Sequence, residues 1–296
     1  MKTTVKIAAL TLSLIATAAS AQAVRTEKNM SLELANQIAA ATVAACATAT
    51  SPTGRTQRVG AVSQEQLNQM GVQAFEQAKA KTPQSTNATQ TAYVRCVANA
   101  VTRQLPSEWQ ANWEVALFAD NSANAFALPG GKIGVNTGIF TVARNQDQLA
   151  AVIAHEVGHV ISRHHDERVT RQAGAQAGVN ILGALIGSRY GSGAAQTTGQ
   201  IAGIGAQTLI LLPNNRTQES EADVVGQQLM AKAGFNPEQA VSLWQNMIEA
   251  NAARAPEWLS THPNPENRIS ELRSRAASLM PSYQQARASG HTPKCG

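Results

Sequence analysis

His155-Glu156-Val157-Gly158-His159 places two imidazoles and a carboxylate within five positions. On a helix, residues four apart stand on one face, so His155 and His159 can offer two nitrogens to one metal ion. Glu156 sits one step round, within reach of a water at that metal. The pattern is that of a zinc hydrolase with Glu156 as general base. Two histidines leave such a site incomplete, because catalytic zinc takes three protein ligands and keeps a fourth position for water. His164 and His165 follow too closely along the same helix to close a tetrahedron. The best third ligand is Glu219 in Glu219-Ser-Glu221-Ala-Asp223. Glu219 and Asp223 share one helical face. The first can bind the metal while the second accepts the outer N–H of a ligand histidine and fixes its tautomer. Glu221 points elsewhere. Alone, this acidic cluster reads as a solvated helix start; paired with the histidines it reads as a ligand and its support.

These residues need two helices that meet. Leu149 to His165 is an apolar run of good helix formers, with Asn145 and Asp147 as capping options. Arg216 to Ala233 is a second helix, ended by Gly234. Ser63-Gln-Glu-Gln66 is a capping box that opens a helix with Leu67, Met70, Gly71, Ala74, Phe75 and Ala78 on one face, ending before Pro83. Another helix runs from about Thr89 to Gln104. The period then changes to two: Trp113, Val115 and Leu117 alternate with Asn112, Glu114 and Ala116, a strand. Asn124 to Gly131 reads as a strand entering a turn, and Lys132 to Val135 as its returning partner. Thr137 to Val142 is a short helix. Asn236-Pro-Glu opens a further helix, and the proline-fixed loop Ser260 to Arg268 leads into a final one ending near Leu279. The expected fold is mainly α (α+β), a helical zinc-hydrolase domain with a small antiparallel sheet beside the metal helix.

The chain has 296 residues, 43% hydrophobic, 15% charged and 4% aromatic. This is a globular composition with a core of Ala, Val, Leu and Ile. The net charge is +5, falling to +3 without Lys2 and Lys6, and no Lys/Arg block stands out, which argues against nucleic-acid binding. Residues 1–21 form a signal peptide: Lys2 and Lys6, then apolar Ile7 to Ala18, then Ala19-Ser-Ala21 for cleavage. Residues 22–59 are an Ala-rich helical stretch followed by a linker from Thr48 to Val59. Residues 60–280 are the catalytic domain and 281–296 a mobile tail. Ala173 to Gln207, with Ile181 to Ile186 at its centre, reads as a helical flap or a reversible membrane contact. The three cysteines, Cys46, Cys96 and Cys295, allow one disulfide and one free thiol in an exported protein, with the pairing open. Val43-Ala-Ala-Cys46 resembles a lipoprotein box, although it lies far from the first Met; the alternative is a buried helix cysteine. The expected location is the periplasm, with peripheral or lipid-anchored association with the outer membrane left open.

His155 to His159, Arg216-Thr-Gln-Glu219-Ser-Glu-Ala-Asp223 and Thr261-His262-Pro263 with Arg268 together resemble the HtpX/CAAX-protease-like family of zinc metallopeptidases, in its soluble exported envelope branch. Asn124 to Gly131 fits the strand before that family's metal helix. The resemblance covers about Ser63 to Leu279. It implies one Zn2+ per chain, with Glu219 as third ligand to His155 and His159. Asp223 and Arg268 stand behind the ligands; the alternative for Arg268 is plain surface charge. His262 is the candidate oxyanion partner; alternatively it fills the open metal position at rest, or its loop only caps a helix. The strand residues Ala125, Phe126, Ala127 and Leu128 can take a substrate as an added strand. The implied activity is zinc-dependent hydrolysis of peptide bonds in misfolded or misassembled envelope proteins. The rival is a chaperone-like or assembly factor of the envelope with a latched or silent zinc site.

Overall fold

The computed structural model describes residues 47–110, 113–175, 214–253, 257–262 and 267–296. The signal peptide, the Ala-rich stretch with Cys46, and most of the 173–207 flap lie outside them. The chain divides into two compact units. Met1–Ala47 with Thr170–Gly203 form one, whose described residues are Ala47 and the helical 170–175. Thr48–Val169 with Ile204–Gly296 form the other and hold all the features below.

The metal-motif helix, α3 (Gln146–Ile161), is the centre of that unit. Every residue from Gln148 to Val160 is buried. Such a helix is apolar or pairs its polar groups on all sides. Asn145 caps it, its side chain accepting from the Gln148 N–H. Against it pack α2 (Ala88–Thr102), α5 (Arg216–Ala233), α6 (Gln239–Ala253) and the strand β4 (Ala125–Leu128). Two glycines set the closest approach, between α3 and α5. A Cβ on Gly158 would stand 3.0 Å from the Ala222 carbonyl oxygen, and one on Gly226 would stand 3.0 Å from the His155 nitrogen. Any larger residue there would push the helices apart. Helix α5 has the limits expected from sequence. Asn215 and Gln218 form a capping box at its start, and Gly234 ends it in the left-handed region at φ 80°.

The sheet is mixed rather than antiparallel, with order β3-β5-β4. β5 (Lys132–Asn136) pairs antiparallel with β4 across the Gly130-Gly131 turn and parallel with β3 (Glu114–Phe118). The alternation in β3 marks two cores. Val115 and Leu117 join the main core, while Ala116 and Phe118 meet Leu67 and Phe75 of α1 (Gln64–Lys81). A strand covered on both faces suits parallel pairing. The expected capping box is present at the start of α1.

Three further expectations give way. Residues 48–59 are not a linker: β1 (Ala47–Thr50) and β2 (Thr56–Val59) form a two-stranded sheet. Residues 281–296 are not a loose tail. The last helix runs from Arg268 through Pro281 to Ala288, and Cys295 is disulfide-bonded to Cys96. Finally, the run to His165 is not one helix. α3 ends at Ile161, Arg163 takes the left-handed conformation at φ 57°, and the next helix, α4, is described over residues 164–175. A left-handed arginine costs about 1–2 kcal/mol and interrupts the helix.

Candidate metal centre

His155 and His159 leave the same face of α3 with their Nε2 atoms 3.1 Å apart. Glu219, in the first turn of α5, brings Oε2 to 3.4 Å from His155 Nε2 and Oε1 to 3.3 Å from His159 Nε2. A tetrahedral zinc ion with bonds of 2.0–2.1 Å would hold its ligand atoms about 3.3 Å apart. Glu219 is fully buried, and its Oε1 has no hydrogen-bond partner among the described residues. Two facing imidazole nitrogens and an orphaned carboxylate oxygen are what a cation would satisfy, so these residues fit a metal ion. Burial leaves His159 neutral, pushing it down to about 3 against the hydrogen bond and the charge of Glu219. His155 behaves oppositely. Burial lowers it, but Asp223 and Glu219 more than offset this and raise it to about 9. Without a cation, those carboxylates hold a proton in its place.

The sequence-nominated supports come together here. His155 Nδ1 is 3.0 Å from Asp223 Oδ1. Arg268, 1% exposed, donates to Asp223 at 2.7 Å and to Glu219 at 3.1 Å, and its guanidinium lies 3.6 Å over the Trp244 ring. It is therefore no surface charge. His262 adds a ring nitrogen to the candidate ligand atoms of His155 and His159 (nitrogens) and Glu219 (a carboxylate oxygen), all within 4.8 Å of one another. His262 Nε2 also lies 3.3 Å from Glu156 Oε1. Burial works against the Glu156 charge, but the hydrogen-bonding contact with His262 and the nearby His155 hold its carboxyl down at about 2, so it is ionised.

Ala125, Phe126 and Ala127 line one cavity with Glu156, His159, His262, His165 and Asn214. Leu128 is not on that wall. It is fully buried in the second core, one residue past the cavity and facing α1. Because the sheet order ends on β4, one edge of that strand has no strand partner among the described residues.

Sequence reasoning missed three contributors. Trp258 donates from Nε1 to Glu156 Oε1 at 2.6 Å; a lone tryptophan in a short helix carries no motif. His164, excluded as a ligand for lying along the same helix, turns back at the Arg163 kink. Its Nδ1 lies 2.8 Å from His159 Nδ1. Glu221 does point away from the ligand pair, yet it is buried and lies 3.2 Å from His164 Nε2. The kink could not be foreseen, because Arg163 has no intrinsic preference for positive φ.

The sequence profile of peptidase family M48 matches residues 88–276. A mitochondrial metalloendopeptidase OMA1 from Schizosaccharomyces pombe is 35% identical over 162 residues, 54% of this chain and 45% of that protein. A beta-barrel assembly-enhancing protease from Escherichia coli is 31% identical over 176 residues, 57% of this chain and 36% of that one. A putative beta-barrel assembly-enhancing protease from Vibrio cholerae is 34% identical over 171 residues, 56% and 35% of the two chains. The chain thus spans less than half the length of each of these relatives.

Proposed function

The chain belongs to peptidase family M48, and on that premise we propose that it is a zinc-dependent endopeptidase that cleaves misfolded or misassembled proteins of the cell envelope. The observation that carries this reading is the buried Glu219 carboxylate, with Oε1 orphaned, facing one imidazole Nε2 from each oxygen beside an ionised, buried Glu156. His155, His159 and Glu219 are the zinc ligands. Zinc, when bound, lowers the pKa of water to about 7 and polarises a carbonyl group. Glu156 accepts the proton of the attacking water and delivers it to the leaving amine. Trp258 holds one of its oxygens through this exchange. Asp223 accepts the His155 Nδ1–H, which directs the Nε2 lone pair inward, and Arg268 neutralises the paired carboxylates behind it. His262 donates to the oxyanion. The extended chain to be cut adds to the edge of β4 through main-chain hydrogen bonds, with Ala125, Phe126 and Ala127 beside it. Recognition of that kind depends little on side chains and suits unfolded substrates.

Three observations support the envelope. The first 21 residues read as a signal peptide. The Cys96–Cys295 disulfide suits an oxidising compartment. The bacterial relatives are named for β-barrel assembly. The mitochondrial relatives support endopeptidase chemistry without bearing on the compartment. No described helix is long and apolar enough to cross a membrane. A second reading has its own support: His262 sits where it can complete a four-ligand set. The site would then rest latched, and the protein would act as a chaperone-like assembly factor.

The Glu156→Gln variant separates the two. Wild-type protein is expected to cleave casein with zinc and to stop when zinc is chelated. The variant should keep its zinc and lose cleavage by about 10²–10⁴-fold. Unchanged cleavage by the variant removes Glu156 as the base. Wild type that holds zinc and cleaves nothing favours the latched assembly factor.

A further inference from the structure

Glu221 collects an unusual set of donors. Ser51 Oγ and Thr53 Oγ1 both donate to its Oε1, and Arg55 Nε donates to its Oε2 at 2.6 Å. All three come from the turn between β1 and β2. The other end of the Arg55 guanidinium is fastened by two 2.9 Å bonds to Glu167 of α4, which also accepts from Gln218 of α5. On its remaining side, Glu221 meets His164 Nε2 at 3.2 Å, and His164 Nδ1 meets His159 Nδ1 at 2.8 Å. Glu221 and His164 have no part in the roles assigned above, and burying them without a purpose would be costly.

The proton positions along this path follow from its ends. Ser51, Thr53 and Arg55 all donate to the Glu221 carboxylate, so Glu221 is the acceptor of this cluster and the 3.2 Å contact puts the His164 proton on Nε2. His164 Nδ1 is then a bare acceptor. The 2.8 Å contact therefore requires the proton on His159 Nδ1, which leaves His159 Nε2 with a lone pair directed at Glu219 and His155. We infer that the β1–β2 hairpin, acting through Glu221 and His164, is a clasp that holds His159 in the tautomer and orientation of a metal ligand. Ser51, Thr53, Arg55, Glu221 and His164 are thus positioning residues of the metal centre. The inference rests on the metal-centre reading of His159 above. His155 has a separate holder, Asp223 with Arg268, so each imidazole ligand is oriented from a different side. The kink serves the clasp. A straight α3 would carry residue 164 about 500° round from 159, away from the His159 ring; left-handed Arg163 brings it back. The hairpin lies outside residues 88–276, so this clasp comes from a segment that the family profile does not cover.

The test is zinc affinity of the full chain, measured by competition with a chelator, with imidazole nitrogen NMR as a second readout. Two variants cut the path at different points: His164→Phe, and Ser51→Ala with Thr53→Val and Arg55→Met. Both are checked for native circular dichroism and an intact disulfide. His164→Phe is expected to weaken zinc binding about 10–100-fold, and the hairpin variant about tenfold. In the zinc-free wild type the spectra should show His159 protonated on Nδ1 and His164 on Nε2, and the His159 population should shift in both variants. If His164→Phe does not fold, the hairpin variant decides. Zinc affinity within twofold of wild type in a folded variant overturns the clasp, even if thermal stability falls, because a merely structural contact would give that result. The underlying reading fails in a different way. Then wild type binds no zinc, or His159→Ala binds it as tightly, and the clasp falls with it.

Discussion

Trp258 stacks on His262 with ring centroids 4.6 Å apart while its indole N–H holds Glu156. Replacing it with Phe keeps the ring and removes one donor to a charged acceptor, a bond worth about 1.5–3 kcal/mol. If that bond aligns the base, Trp258→Phe should lower kcat by about tenfold or more and leave zinc affinity unchanged. Equal kcat values would show that the base needs no such hold. His155 makes a pH prediction. Burial opposes its charge, but Asp223 and Glu219 raise it from 6.5 to about 9 in the ion-free site. A metal must displace that proton, so apparent zinc affinity should climb about tenfold per pH unit from pH 7 and level off near pH 9. Calorimetry in buffers of different ionisation enthalpy should show about one proton released at pH 7. The same raised value stabilises the metal-free fold fully below pH 6.5, and that contribution is lost as pH rises through 9. A flat affinity profile between pH 7 and 9 would contradict the proton-holding role of the carboxylates.

At the scale of elements, the site depends on how closely α3 and α5 approach. Gly226→Val would put atoms into the His155 backbone. It should destabilise the protein by about 1–3 kcal/mol and weaken zinc binding by moving Glu219 from the histidines. Urea midpoints and chelator competition would measure the two effects. Full retention of both would mean that the helices reach their spacing by other contacts. The ends of α5 were readable because a cap and a glycine act locally. The break after Ile161 was not, since it depends on what Glu221 and His159 offer His164 once the chain is folded. The parallel pairing of β3 with β5 was also hidden, because strand order depends on contacts distant in sequence.

For the whole molecule, the Cys96–Cys295 disulfide closes a loop of 199 residues. It secures a C-terminal stretch that reaches the start of α3, where Gln146 donates to the Pro293 carbonyl and accepts from the Cys295 N–H. Changing both cysteines to Ser should cost about 2–4 kcal/mol of stability, seen as a lower melting temperature in oxidising buffer. Zinc affinity should hold, since the contact is at the opposite end of α3 from His159; a matching loss of zinc would tie the tail to the site. The residues that make up the candidate site were legible in the amino-acid sequence: two histidines and a glutamate at helical spacing, a later Glu-x-x-x-Asp pair, and the helices that carry them. Those features are local, so residue type and period suffice to reveal them. Beyond Asp223 and Arg268, the groups that back the candidate ligands came from the folded structure. Trp258 on Glu156, His164 and Glu221 on His159, and the hairpin on Glu221 are contacts between distant segments, and only the folded packing of buried polar groups selects them.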